Sequence, residues 1–173
     1  MSKFARIIAT AALVFGLAAP ASAAERQAPE FSGVNQWLNS GPLTMSGLRG
    51  KVVLVDFWTQ DCINCIRTLP HVTALYSKYA SRGLVIVGVH TPEFPREKLT
   101  ANVEAAIKRY GIHYPVAQDN AFSTWNAYNN EFWPAQYIVV GSDMVACACA
   151  TDARKTDAKA MRTAVSARRS DVG

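Results

Sequence analysis

The chain has 173 residues, half of them hydrophobic, which is enough for one domain with a sizeable core and cramped for two. The formal charge of +5 does not mark a nucleic-acid surface: Lys3 and Arg6 lie in the first 23 residues and six of the 18 basic residues follow Ala150, while ten bases meet ten acids in between. The four cysteines, one C-x-x-C and a distant C-x-C, do not read as a disulfide scaffold, because staples between near neighbours remove little chain entropy and a chain of this size can fold by its core.

Residues 1–23 read as a secretory signal, with Lys3 and Arg6 as the basic region, an apolar run over 7–19 and the small residues Ala21-Ser22-Ala23, so cleavage is expected between Ala23 and Ala24. The apolar run is short of the ~20 residues that a spanning helix needs. No later segment reads as a membrane span, and the mature chain is expected in the periplasm or outside the cell. Residues 25–30 read as a polar linker. Residues 31–45 predict two short strands or a hairpin around the turn Asn39-Ser40-Gly41-Pro42.

The run Val52-Val53-Leu54-Val55-Asp56-Phe57-Trp58 predicts a central strand buried on both faces. It is followed by Cys62-Ile63-Asn64-Cys65 and a helix over 62–81, with Ile66, Leu69, Val72, Leu75, Tyr76 and Tyr79 on one face and Pro70 bending it near Ile66. Gly83 suits a left-handed helix end. Residues 84–90 predict a second buried strand, completing a βαβ unit with parallel strands. After the turn at Thr91-Pro92, a helix is expected over 97–110, with Leu99, Val103, Ile107 and Tyr110 inward and Gly111 ending it.

A short strand over 114–117, a short helix over 121–128 and a buried strand over 136–140 follow, the last preceded by Trp133-Pro134. Beyond Val140 the aromatics stop and alanine dominates. An edge strand over 144–150 and a weakly amphipathic helix over 156–167 are the expectations there.

A strand that delivers C-x-x-C to a helix N-terminus points both sulfurs at unpaired backbone N–H groups and the positive end of the helix dipole, which favours a thiolate. Cys62 and Cys65 are therefore candidates for a redox dithiol. The bland alternatives are a zinc half-site, with Cys147 and Cys149 completing four thiolates, and for Asp56 a merely satisfied buried polar group. His71, His90 and His113 are dispersed and read as packing or surface residues. No resident metal or cofactor is expected.

Taken together, Asp56-Phe57-Trp58, Cys62, Cys65, Pro70, the segment VGVHTPEF and Trp133-Pro134 resemble the thioredoxin superfamily, most closely the secreted TlpA-like and DipZ-like thiol-disulfide oxidoreductases. The resemblance covers residues 31–140. It implies an α/β thioredoxin-like fold, a central mixed sheet flanked by helices with an N-terminal hairpin and a helix-strand insertion between Val89 and Trp133. It implies an enzyme that exchanges disulfides with partner proteins, as a reductant recharged by an upstream electron donor such as a membrane thiol reductase.

The resemblance also assigns roles. Cys62 attacks, Cys65 resolves the mixed disulfide, and Asp56 is a buried carboxylate that exchanges a proton with Cys65. Pro134, as a cis-proline without an N–H, leaves room for a substrate backbone, and Trp58 and Trp133 form apolar walls. Thr59, three before Cys62, is shared with thiol peroxidases of the related redoxin type, but Val55 stands where those have proline. A non-catalytic binding or metal-delivery module is the third class of reading.

Two features depart from the family pattern. Asp61 precedes the first cysteine where an aromatic is common, and Ile63-Asn64 lacks the proline or histidine of familiar reductants and oxidants. Residues 141–173 depart more, and are expected to be a divergent end or the product of a shifted reading frame.

Overall fold

The structure, a computed structural model, describes residues 26–141 and 143–149. The signal-like segment and the helix expected over 156–167 lie outside the described residues. In chain order the elements are β1 (Arg26–Gln27), β2 (Gln36–Leu38), β3 (Val52–Trp58), α1 (Ile63–Tyr79), β4 (Leu84–His90), α2 (Thr100–Tyr110), β5 (Val116–Gln118), α3 (Ser123–Ala127), β6 (Ala135–Val140) and β7 (Asp143–Cys149). The strands form one mixed sheet in the order β1-β7-β6-β3-β4-β5-β2.

β3 is the middle of that order, parallel to β4 and antiparallel to β6, and every one of its residues is buried. Its β-branched and aromatic side chains alternate between two cores. Leu54 and Trp58 join Leu69, Val72 and Ile86 beneath α1 and α2. Val53, Val55 and Phe57 join Val87, Trp125 and Tyr137 on the other face, beneath α3. Covering both faces is what makes the strand continuously apolar. The one carboxylate in it, Asp56, is 1% exposed and faces the first core's side of the sheet with Leu54 and Trp58.

α1 presents Cys65, Leu69, Val72, Leu75 and Tyr79 to the sheet, the three-and-four spacing read from the sequence, with Pro70 inside it. A single 3-10 turn, Ala80–Arg82, carries the chain to Gly83, whose φ of 93° is the left-handed conformation expected of it. The parallel βαβ unit is thus confirmed.

Three expectations are corrected. No N-terminal hairpin forms among the described residues: β2 pairs with β5, while β1 pairs with β7. After the Asn39–Pro42 turn the chain does not return as a strand, because the Glu30 carboxylate accepts the backbone N–H groups of Met45 and Ser46, at 2.6 and 2.9 Å, and starts a 3-10 turn at Ser46–Leu48. The helix expected over 97–110 is two pieces, a 3-10 turn at Pro95–Lys98 and then α2, with Leu99 extended between them at ψ 117° and 60% exposed rather than inward. The strand after Val140 forms, but it is not a bare edge: β1, from the segment read as linker, pairs with Asp143 and Met144.

Gly88 lies opposite Asp56 in the β3–β4 register, and a Cβ there would meet Trp58 Nε1 and Tyr114 Cε2, each at 3.0 Å. Gly88→Val should therefore cost about 1–3 kcal/mol through overpacking. Urea unfolding should show a lower midpoint at unchanged slope; an unchanged midpoint would contradict this packing.

Candidate functional site

The site grows from the C-terminal end of β3. Past Trp58 the chain leaves the sheet, and Cys62 becomes the N-cap of α1: its backbone is extended (φ −73°, ψ 114°) and its sulfur accepts the Cys65 N–H at 3.4 Å. One turn on, Cys65 is fully buried, whereas Cys62 is partly exposed. Both are free thiols here. Burial, foremost, pushes the Cys65 thiol far above its ordinary range, with the bond to Cys62 and the charges of Cys62 and Asp56 adding to it. The two sulfurs are chemically unequal: one reachable, the other held as a protonated thiol until a base accepts its proton.

Asp56, buried on the same side of the sheet, is the carboxylate whose charge adds to the upward push on the Cys65 thiol, and its Oδ1 accepts Gln136 Nε2 at 2.9 Å, from the residue opposite it on β6. Gln136 was read only as a strand residue; its role shows once the β3–β6 register is known.

The other wall is the loop entering β6. The Trp133-Pro134 peptide is cis, and the Trp133 carbonyl lies 4.0 Å from Cys62 Sγ, within reach of the thiol. The core holds this loop in place. Phe57 packs edge-on against Trp125, Tyr128 and Tyr137 at 5.4–5.7 Å, and Trp125 lies against Trp133 at 4.3 Å. Trp133 Nε1 donates to the Thr91 carbonyl at 3.1 Å, Tyr137 donates to Asn130 Oδ1, and Asn130 donates to the Phe132 carbonyl. The half-buried Trp133 and the exposed Phe132 and Ile63 give the rim beside Cys62 an apolar surface.

Two expectations change. Trp58 has no exposed surface; it is core, edge-on to His90 at 5.0 Å, and cannot serve as a wall open to a partner. Pro134 is buried as well, so the surface offered beside the thiol is Trp133.

Glu97 was read only as a helix start, yet it is fully buried, and its carboxylate accepts backbone N–H groups from Asp61, Glu93 and Phe94 at 3.2, 2.6 and 2.8 Å. It ties the residue before Cys62 to the loop after β4. Close by, His90 is fully buried, with neither ring nitrogen hydrogen-bonded among the described residues. Burial draws its pKa down to about 4 against the opposing charges of Glu97 and Asp61, so the imidazole is neutral at physiological pH. The isolated Glu and His in the sequence carried no sign of this. Outside the sheet, Arg96 pairs with Asp61 at 2.9 Å. The side chains of Cys147 and Cys149, in β7, lie outside the described residues.

Comparisons with known proteins agree with this architecture. The model of the AhpC/TSA family matches residues 24–146. DipZ of Mycobacterium tuberculosis is 47% identical over 115 residues, which cover 65% of this chain but 16% of DipZ, so the chain spans only a small part of that relative's length. The thiol-disulfide oxidoreductase YkuV of Bacillus subtilis is 31% identical over 111 residues, covering 64% of this chain and 74% of YkuV. A solved thioredoxin-like protein in its oxidised form superposes with a TM-score of 0.75 at 25% identity, over 82% of this chain and 96% of that one. The fold is thioredoxin-like, as the motifs implied.

Two predictions follow from the buried acid and base. Glu97→Ala leaves three backbone donors without their acceptor, so it should cost about 2 kcal/mol or more and speed amide exchange at Asp61, Glu93 and Phe94 specifically; unchanged protection at those amides would contradict the bonding described. The His90 imidazole titrates near 6.5 unfolded and near 4 folded. Falling pH protonates the unfolded chain first, so stability should drop by about 3 kcal/mol between those values and no further below them. His90→Leu should remove that part of the pH dependence; identical pH profiles for the two proteins would show that the imidazole is not buried neutral.

Proposed function

The chain belongs to the AhpC/TSA family, and from that premise we propose that it is an extracytoplasmic thiol-disulfide oxidoreductase that reduces disulfides of partner proteins through Cys62 and Cys65. The observation that carries this reading is the inequality of the two sulfurs: a reachable Cys62 at a helix N-cap over a buried, protonated Cys65 that faces a buried carboxylate.

In the first step the Cys62 thiolate attacks a partner disulfide. A Cys62–partner S–S bond forms, the partner's own S–S bond breaks, and its second sulfur leaves as a thiolate that takes a proton from solvent. In the second step Asp56 accepts the Cys65 proton, and the Cys65 thiolate attacks the Cys62 sulfur. The intramolecular disulfide forms, the Cys62–partner bond breaks, and the partner's first sulfur departs as a thiolate that takes up a proton from solvent, while Asp56 later releases its own. Two electrons have passed to the partner, and an upstream dithiol donor, such as a membrane thiol reductase, must return them. Trp133 supports the mixed disulfide by presenting an apolar face and a carbonyl beside Cys62.

We take the reducing direction from the resemblance to the TlpA-like and DipZ-like oxidoreductases; at the loop before Cys62, Asp61 is paired with Arg96, and the buried His90 is neutral. The extracytoplasmic location rests on the signal-like residues 1–23, with cleavage proposed between Ala23 and Ala24.

Reduced protein should catalyse insulin reduction by dithiothreitol. Cys62→Ser should abolish it, Cys65→Ser should accumulate a covalent partner adduct, and Asp56→Asn should slow release of that adduct tenfold or more. Peroxide consumption by Cys62 without insulin turnover would favour the peroxidase reading instead. Mass spectrometry of secreted protein should find Ala24 at the N-terminus; retention of residues 1–23 would contradict cleavage.

A further inference from the structure

Beside the dithiol, on the α2 side, lies an open cavity of about 220 Å³ lined by Gln60, Asp61, Arg96, Asn102 and Arg109 together with two small alanines. Gln60 and Asp61 immediately precede Cys62, so the cavity borders the loop that carries the attacking sulfur. Three features define what it can hold. Gln60 is 92% buried, and its Oε1 has no hydrogen-bond partner, which leaves an acceptor in need of an N–H or O–H donor. The Gln60 backbone is fixed from below, its carbonyl accepting the Tyr110 hydroxyl at 3.2 Å. Arg109, exposed at the end of α2, forms no ion pair among the described residues.

The remaining polar groups are only partly committed. Arg96 gives its Nε–H to Asp61 at 2.9 Å, and Asn102 Nδ2 donates to the Arg96 carbonyl at 2.8 Å. The cavity therefore keeps the Arg109 guanidinium, the outer N–H groups of Arg96 and one orphaned buried acceptor. An acidic residue in a polypeptide supplies both complements: its carboxylate for the Arg109 guanidinium and its own backbone N–H for Gln60 Oε1. A lysine or an apolar residue supplies at most the second and leaves Arg109 unpaired.

We propose that this cavity is a specificity pocket for an aspartate or glutamate close to the reacting cysteine of the partner polypeptide. The proposal rests on the thiol-disulfide exchange reading and adds to it which partners are preferred. Arg109 touches no reacting atom; it selects.

The test uses reduced protein and short peptides whose single cysteine is capped as a 2-pyridyl disulfide, with Asp, Ala or Lys placed in turn at the two positions on either side. Attack by Cys62 releases thiopyridone, which is followed optically. At one of the positions the Asp peptide should react about fivefold faster than the Lys peptide, the size expected of a favourable, partly exposed ion pair. Arg109→Glu should invert that ratio, each rate being divided by that of the Ala peptide on the same variant. Equal rates for Asp and Lys at every position, or a ratio unmoved by Arg109→Glu, would overturn the proposal.

A cysteine-free acetyl-Gly-Asp-Gly amide provides a readout that needs no turnover. Titrated into the protein, it should shift the Gln60 side-chain amide and the Arg109 Nε–H resonances saturably, and more than acetate or the Lys analogue does. No such shift, or an equal one from the Lys analogue, would overturn the pocket. Release absent from every peptide would instead sink the oxidoreductase reading, and the titration would then decide the pocket alone.

Discussion

The pairing of β3 with β4 on one side and β6 on the other governs the rest of the molecule. Because β3 is buried on both faces, its ladder cannot slip by one residue without moving Asp56 from one core to the other. The register therefore places Asp56 opposite Gln136, ends β3 where Cys62 can cap α1, and starts β6 where the Trp133 carbonyl meets the Cys62 sulfur. The second core then acts on the site at a distance. Asp119 accepts the backbone N–H groups of Ser123 and Trp125 at 2.8 Å, holding α3; Trp125 packs on Trp133; and Trp133 borders the thiol. Site geometry here is a consequence of sheet register and aromatic packing.

Much of this could be read in the sequence, for identifiable reasons. Strands β3, β4 and β6 are largely apolar runs rich in β-branched residues, and α1 carries a clean helical face, so period and length identify them. The cysteine pair and the Trp133-Pro134 dipeptide are local motifs whose meaning depends on little else. What could not be read depended on which distant group supplies a backbone donor with its acceptor. Glu30 turns the chain at Met45 where a hairpin strand was expected, and Glu97 detaches a 3-10 turn from α2. Neither carboxylate differs in sequence from a solvated surface glutamate. Trp58 misled in the opposite sense, because an aromatic next to a motif looks the same whether it lines a surface or fills a core.

Around the dithiol the buried groups divide into two kinds. Asp56 and Cys65 are a buried carboxylate and a buried thiol held protonated, the pair between which we propose a proton passes. Glu97 ties the residue before Cys62 to the loop after β4, and His90, buried nearby, is a neutral imidazole. Asp61, which departs from the usual aromatic at its position, fits the same pattern. It engages Arg96 at 2.9 Å, and its backbone N–H is held by Glu97.

The proposed role as a reductant is tested most directly by the reduction potential of the Cys62/Cys65 couple, titrated against defined thiol-disulfide buffers. The proposal predicts a value near that of thioredoxin, roughly −270 mV, at which the dithiol gives up its electrons readily. A value near roughly −120 mV, the range of a strong oxidant, would contradict the account.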